Sequence, residues 1–175
     1  MAKRVRTLQD LTALIEELVA EEWDHIKVAN GKRIATKFKL DLTSRVKLQA
    51  FDHWPPLSPL YVQQKAKRGL DPRTLIARME YLKSIRVRST RDQKGDQTYT
   101  VGVPQYAKHY SGLTFMQLAA IHEYGTRDRR VPARPHWRPT IRKFQALQPR
   151  FEREMQDRIV RRVGTKLRAA LGSDH

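Results

Sequence analysis

Histidines and carboxylates are where this chain could carry acid–base or metal chemistry. There are six histidines: His25, His53, His109, His122, His136 and His175. A zinc-binding helix needs two histidines one turn apart, and no His-x-x-x-His spacing occurs; His122-Glu123 lacks the second imidazole. The 175 residues include no cysteine, which removes disulfides, thiolate metal ligands and thiol nucleophiles, and fits a reducing compartment. Glu80, Glu123 and Asp128 are the central carboxylates near expected structure, and their spacing suggests no pair for general acid–base work. Ser58 stands beside prolines without the glycine-flanked elbow of a serine nucleophile. The eight glycines are scattered, and none builds a phosphate-cradling loop after a strand. The expectation is a non-enzyme with no metal and no cofactor.

The other chemistry on offer is cationic. Lys and Arg number 35 against 18 Asp and Glu, a formal net charge of +17. Residues 101–150 hold nine basic and two acidic side chains, with Arg127, Arg129, Arg130, Arg134, Arg138, Arg142 and Lys143 close together. Such a surface can neutralise phosphates, and Tyr106, Tyr110, Tyr124 and Trp137 could stack on bases beside it. Arginine is equally favoured where a planar fork grips the carboxylates of a protein neighbour. The excess is spread along the chain rather than held in a tail, which predicts a folded basic face.

These groups must be positioned by elements that the pattern makes readable. Leu8, Leu11, Ile15, Leu18, Val19 and Ile26 predict a helix over 8–28, with Thr7 as its N-cap and Asn30-Gly31 as its stop. Phe38, Leu42, Val46 and Ala50 predict a second helix over 34–51. The prolines of 53–59 rule out regular structure there, and short helices are expected over 60–68, ended by Gly69, and 73–79. Alternation predicts strands over 82–89 and 98–103 around the polar turn 91–96, an antiparallel hairpin. A helix over 115–124, stopped by Gly125-Thr126, leads to a mobile basic loop and an extended proline strap over 131–140. A long apolar stripe from Ile141 to Leu171 predicts a terminal helix, kinked or restarted at Pro149. No apolar run nears the ~20 residues that span a bilayer, and Met-Ala-Lys-Arg-Val-Arg is not followed by a leader-like apolar stretch, so a protein that stays where it is made is expected.

The fold expectation is α+β: a central antiparallel sheet with the 82–89/97–103 hairpin, packed by N-terminal helices and a long C-terminal helix. A single domain is expected over 1–175, divided into helices (1–52), a β-containing core with basic loop and strap (53–140) and the terminal helix (141–175).

Several motifs in order carry a resemblance. Trp54, Leu57-Ser58-Pro59 and Lys65 are followed by Leu82 with Ser84-Ile85, then Tyr99 with Val101-Gly102-Val103, then Tyr106 with His109-Tyr110. Ile121-His122-Glu123-Tyr124-Gly125-Thr126 and Pro132-Ala133-Arg134-Pro135, with Arg138-Pro139-Thr140, complete the set. Over about residues 50–145 the chain resembles the virion-morphogenesis, or tail-completion, family of tailed bacteriophages and Mu-like prophages. It departs from the pattern at Pro56, which lengthens the Trp-x-Pro-Leu stretch, and at His136-Trp137.

That resemblance implies a structural virion protein of the phage neck, without catalysis, assembled in the host cytoplasm. It implies a homo-oligomer, most simply a hexameric ring, joining the tail to the head. Its partners would be a head-side connector or stopper and a tail terminator or tube protein, with genomic DNA passing through and no membrane involved. A tail-terminator ring is the alternative within the class, a basic DNA-binding protein the alternative outside it, and a metal-dependent nuclease using His122 or Glu123 a weaker one. Candidate interface residues are Trp54, Tyr124, Arg127, Arg129, Arg130, Arg134, Trp137 and Arg138; Arg127, Arg129, Arg130 and Lys143 are candidates for a DNA path. If the strap docks on a neighbour, Trp137→Ala or Arg134→Ala should harm assembly more than folding. If Trp54, Trp137 and Tyr124 cap the core, both should suffer alike.

Overall fold

The computed structural model describes residues 7–171; His175 and the first six residues, which figure in the sequence reading, lie outside that range. Helix α1 (Leu8–Lys47) is followed by α2 (Pro59–Lys67) and α3 (Glu80–Ser84), then strands β1 (Arg86–Arg91) and β2 (Gln97–Gly102). Helices α4 (Phe115–Tyr124), α5 (Trp137–Ala146) and α6 (Gln148–Leu171) complete the chain. The class is α+β, and among the described residues the sheet is the β1–β2 hairpin itself.

Two compact units are present among the described residues, one formed by 7–33 with 146–171 and one by 34–145. In the first, Ile26, Ile159 and Val163 form the buried cluster, with Leu18 and Met155 packed on it. Around it Glu22, 3% exposed, meets Lys166 Nζ at 2.8 Å and Arg162 at 3.2 Å. In the second, Leu42, Val46, Phe51, Ile76, Tyr81, Leu82, Ile85, Phe115 and Ala119 make a larger core.

Several local expectations hold. Thr7 caps α1: its Oγ1 accepts the Asp10 amide at 3.1 Å while Asp10 accepts the Thr7 amide at 2.9 Å. Two caps not expected from the sequence are also present: Ser58 on α2, and a reciprocal capping box of Thr114 with Gln117 on α4. Pro149 does restart the terminal helix, in the first turn of α6, where its missing N–H costs nothing.

Four expectations are corrected. Asn30-Gly31 does not stop a helix; α1 is continuous for 40 residues. Asn30 is buried, and its Oδ1 accepts from Arg33 Nη2 at 2.8 Å, which also reaches Glu154 at 2.7 Å, so side-chain bonding replaces the turn. Residues 73–79 form turns rather than a helix, with Leu75 and Met79 in the left-handed region at φ 66° and 61°. Residues 82–84 are helical: Tyr81, Leu82 and Ile85 are buried at helical spacing, so β1 starts only at Arg86. The strap ends earlier than 140, because α5 begins at Trp137.

The hairpin pairs Val87 with Val101 and Ser89 with Tyr99 in antiparallel register. Its turn is built by Asp92, whose Oδ1 accepts from the amides of Lys94 at 3.0 Å and Asp96 at 2.8 Å, while Gly95 takes φ 87°.

Candidate functional site

The two motifs of the sequence, His-Glu-Tyr-Gly-Thr and Pro-Ala-Arg-Pro, meet as one welded module. Helix α5 starts after Pro135-His136, where no Ser, Thr, Asp or Asn supplies a cap. Glu123, at the end of α4, does the work instead. Its Oε2 accepts the amides of His136 at 2.9 Å and Trp137 at 3.0 Å, and its Oε1 accepts the amide and Nε of Arg138, both at 3.0 Å. A carboxylate at a helix N-terminus meets both the orphan donors and the positive end of the helix dipole. Burial opposes the Glu123 charge, yet these donors outweigh it and hold the pKa below the ordinary glutamate value.

The strap is fastened by the same logic. Arg134, 3% exposed, donates Nε to Pro55 O at 2.8 Å and Nη2 to Pro56 O at 3.0 Å. Its own amide donates to His122 O at 2.6 Å. Trp54 stacks on Phe51 with centroids 4.7 Å apart and donates Nε1 to Pro135 O at 2.9 Å. Trp137 stacks on Phe38 and donates Nε1 to Tyr81 Oη at 2.9 Å. Tyr81 Oη lies 2.5 Å from Nε2 of the fully buried His136, whose Nδ1 lies 3.2 Å from Arg134 O. The consistent tautomer carries the proton on Nδ1: Trp137 donates to Tyr81, Tyr81 to His136, and His136 to the strap backbone. Burial lowers the His136 pKa and raises that of Tyr81, so both stay neutral.

Gly125 lets the chain double back on itself. Its φ is +78°, and a Cβ there would sit 3.0 Å from both Ala133 N and Val131 O. Thr126 then closes the basic loop at its base, exchanging backbone and hydroxyl bonds with Val131 at 2.9 Å and accepting the Arg129 amide at 2.9 Å. The loop expected to be mobile is therefore tied. Arg127, Arg129 and Arg130 are exposed on it, Arg129 at φ 60° and Arg130 paired with Asp128 at 3.1 Å.

The candidate residues thus divide. Trp54, Arg134 and Trp137 are spent inside the fold. Arg138 bridges Glu123 and the exposed Tyr124 ring, its Cζ 4.8 Å from the centroid. Lys143 is bonded to Asp41. Arg127, Arg129, Arg130 and Tyr124 face solvent. The residues that sequence reading left without these roles are Glu123 as a helix cap and Tyr81–His136 as a buried relay. The signal for the first was an uncapped helix start near an isolated carboxylate. Among the described residues, no cluster of three His, Asp or Glu side chains could hold a metal ion, and no helix is long and apolar enough to cross a membrane.

Comparison with known proteins adds one likeness. Over 106 residues the chain is 27% identical to an uncharacterized protein of Methanocaldococcus jannaschii, spanning 61% of this chain and 70% of that one. No family model matches the chain, and no solved structure matches it.

Proposed function

We propose that this chain is a structural virion protein of the tailed-phage neck, a tail-completion protein that closes into a ring joining tail to head around the DNA path. The resemblance over residues 50–145 supports the class. In the structure, the observation that carries the reading is the hairpin. Among the described residues β1 and β2 pair only with each other, so both outer edges keep unpaired backbone donors and acceptors, and nearly all of β1 is exposed. A two-stranded ribbon is marginal alone in water, and a strand from a neighbouring copy would complete it. A ring uses such unlike patches on each copy, one donating and one receiving, closed by rotation. The exposed Arg127, Arg129 and Arg130 supply a second, charged patch facing either the DNA path or an acidic neighbour.

The test is to mix the purified chain with phage tails lacking their completion protein and image them by electron microscopy. A ring capping the tail end, and tails that then accept heads, is the expected outcome. Tails left bare, together with tight duplex binding by a monomer that weakens steeply with salt, would instead favour a DNA-binding protein.

A further inference from the structure

A groove of about 950 Å³ opens in the unit formed by residues 34–145, between the 56–59 segment, α2, α4 and the strap. Its walls are largely apolar, with Leu57, Leu118 and Ile121 among them, and among the described residues no Asp or Glu lines it. At its floor lie Lys65 and Arg134, each only 3% exposed. Among the described residues both donate hydrogen bonds to backbone carbonyls only: Lys65 Nζ to Asp71 O at 3.0 Å and Arg73 O at 2.7 Å, with the Tyr61 ring centroid 5.6 Å away, and Arg134 to Pro55 O and Pro56 O. Carbonyl dipoles orient these cations but do not neutralise them, and each cation keeps further N–H donors. The carboxylate of Asp71 acts on Lys65 from a distance while being held by Arg73 at 2.6 Å. Nδ1 of His122, also lining the groove, is buried with no hydrogen-bond partner. Arg68 and Arg130 stand exposed at the rim.

We infer that this groove is a docking site for an extended segment of a partner protein in which a carboxylate side chain is flanked by aliphatic ones. The carboxylate would complete the charge of Lys65 and Arg134, and the flanking side chains would cover the apolar walls. Burial of the two cations favours this occupant over a nucleic acid. Duplex phosphates are gripped by cations standing on an open surface, whereas these two are buried beneath largely apolar walls. The inference does not depend on ring formation.

Fluorescence polarisation with the full chain tests it, using an array of short labelled peptides that alternate Asp or Glu with Leu or Val. Their Asn and Gln counterparts and a single-stranded oligonucleotide serve as rivals. The acidic peptides should bind at least about tenfold more tightly than the amide versions. The exposed pair Arg68→Glu with Arg130→Glu should weaken them by about tenfold or more with the melting temperature unchanged, so folding is not confounded. Lys65→Met should weaken them as well. Equal binding of acid and amide peptides, no binding anywhere in the array, or tighter binding of the oligonucleotide at the same site would overturn the assignment. Competition between the peptide and the chain's own self-association would give the groove to a second copy, and would overturn the choice of partner.

Discussion

Glu123 and Arg130 lie seven residues apart in sequence and behave oppositely. Glu123 is 4% exposed and saturated with donors from the start of α5, while Arg130 stands in solvent with one exposed ion pair. The same division runs through the whole motif region. The residues that make the sequence recognisable (Glu123, Gly125, Arg134 and the proline strap) hold one fold together, and the arginines between them are presented outward. At the α4–α5 junction recognisable spacing marks scaffolding, and the arginines of the less patterned loop are the ones left to face a partner.

Removing the scaffold should have the largest effect. Glu123→Ala leaves the first-turn amides of α5 and the Arg138 side chain without their acceptor, and should cost about 3–5 kcal/mol in urea unfolding. Gly125→Ala comes next, at about 2–3 kcal/mol, because φ +78° is strained for alanine and the strap backbone blocks its Cβ. Both variants should lose assembly only as a consequence of unfolding. On the geometry seen, Arg134→Ala and Trp137→Ala belong with them, damaging the monomer as well as any assembly.

Acid should act on the scaffold through its two shielded imidazoles. His122 and His136 are held neutral by burial, with the His122 pKa pushed down to about 3. Unfolding frees both to take a proton at their ordinary value near 6.5, so stability is full above that value and falls as pH drops below it. At about pH 5, His122 alone should account for a loss of about 2 kcal/mol relative to neutral pH, read by thermal or urea melts. Glu123, with its pKa lowered, adds a further loss only below the ordinary glutamate value near 4.5. A melt independent of pH between neutrality and about pH 5 would mean that the two imidazoles are not buried as described.

The smallest stability effect should come from the loop. Arg127→Ala with Arg129→Ala and Arg130→Ala should leave unfolding within about 0.5 kcal/mol per site, because none of these side chains is buried.

The sequence made the regular parts visible. Capped α4, the Asp92–Gly95 turn and the Pro149 restart each follow from local chemistry that needs no tertiary partner. The misses came where distant contacts decide. The Asn30-Gly31 pair reads as a stop until the Asn30 side chain is seen engaged by Arg33. Residues 82–84 read as strand because the helix that holds them, α3, is only five residues long. For the site, the aromatic and arginine residues were found by type, but which faced inward was hidden. Arg134 has the composition of a surface cation and becomes buried only because the carbonyls of Pro55 and Pro56 converge on it from 78 or more residues away.

The mass of the full chain in solution across rising concentration, measured beside the triple loop variant, tests ring closure most directly. Closure into a species of roughly six copies of the 20.5 kDa chain is predicted, with the variant equally folded; a shift of the variant toward smaller species would assign the loop arginines to a neighbouring copy, and unchanged assembly to the DNA path. A wild-type chain that stays at 20.5 kDa at every concentration would contradict ring closure.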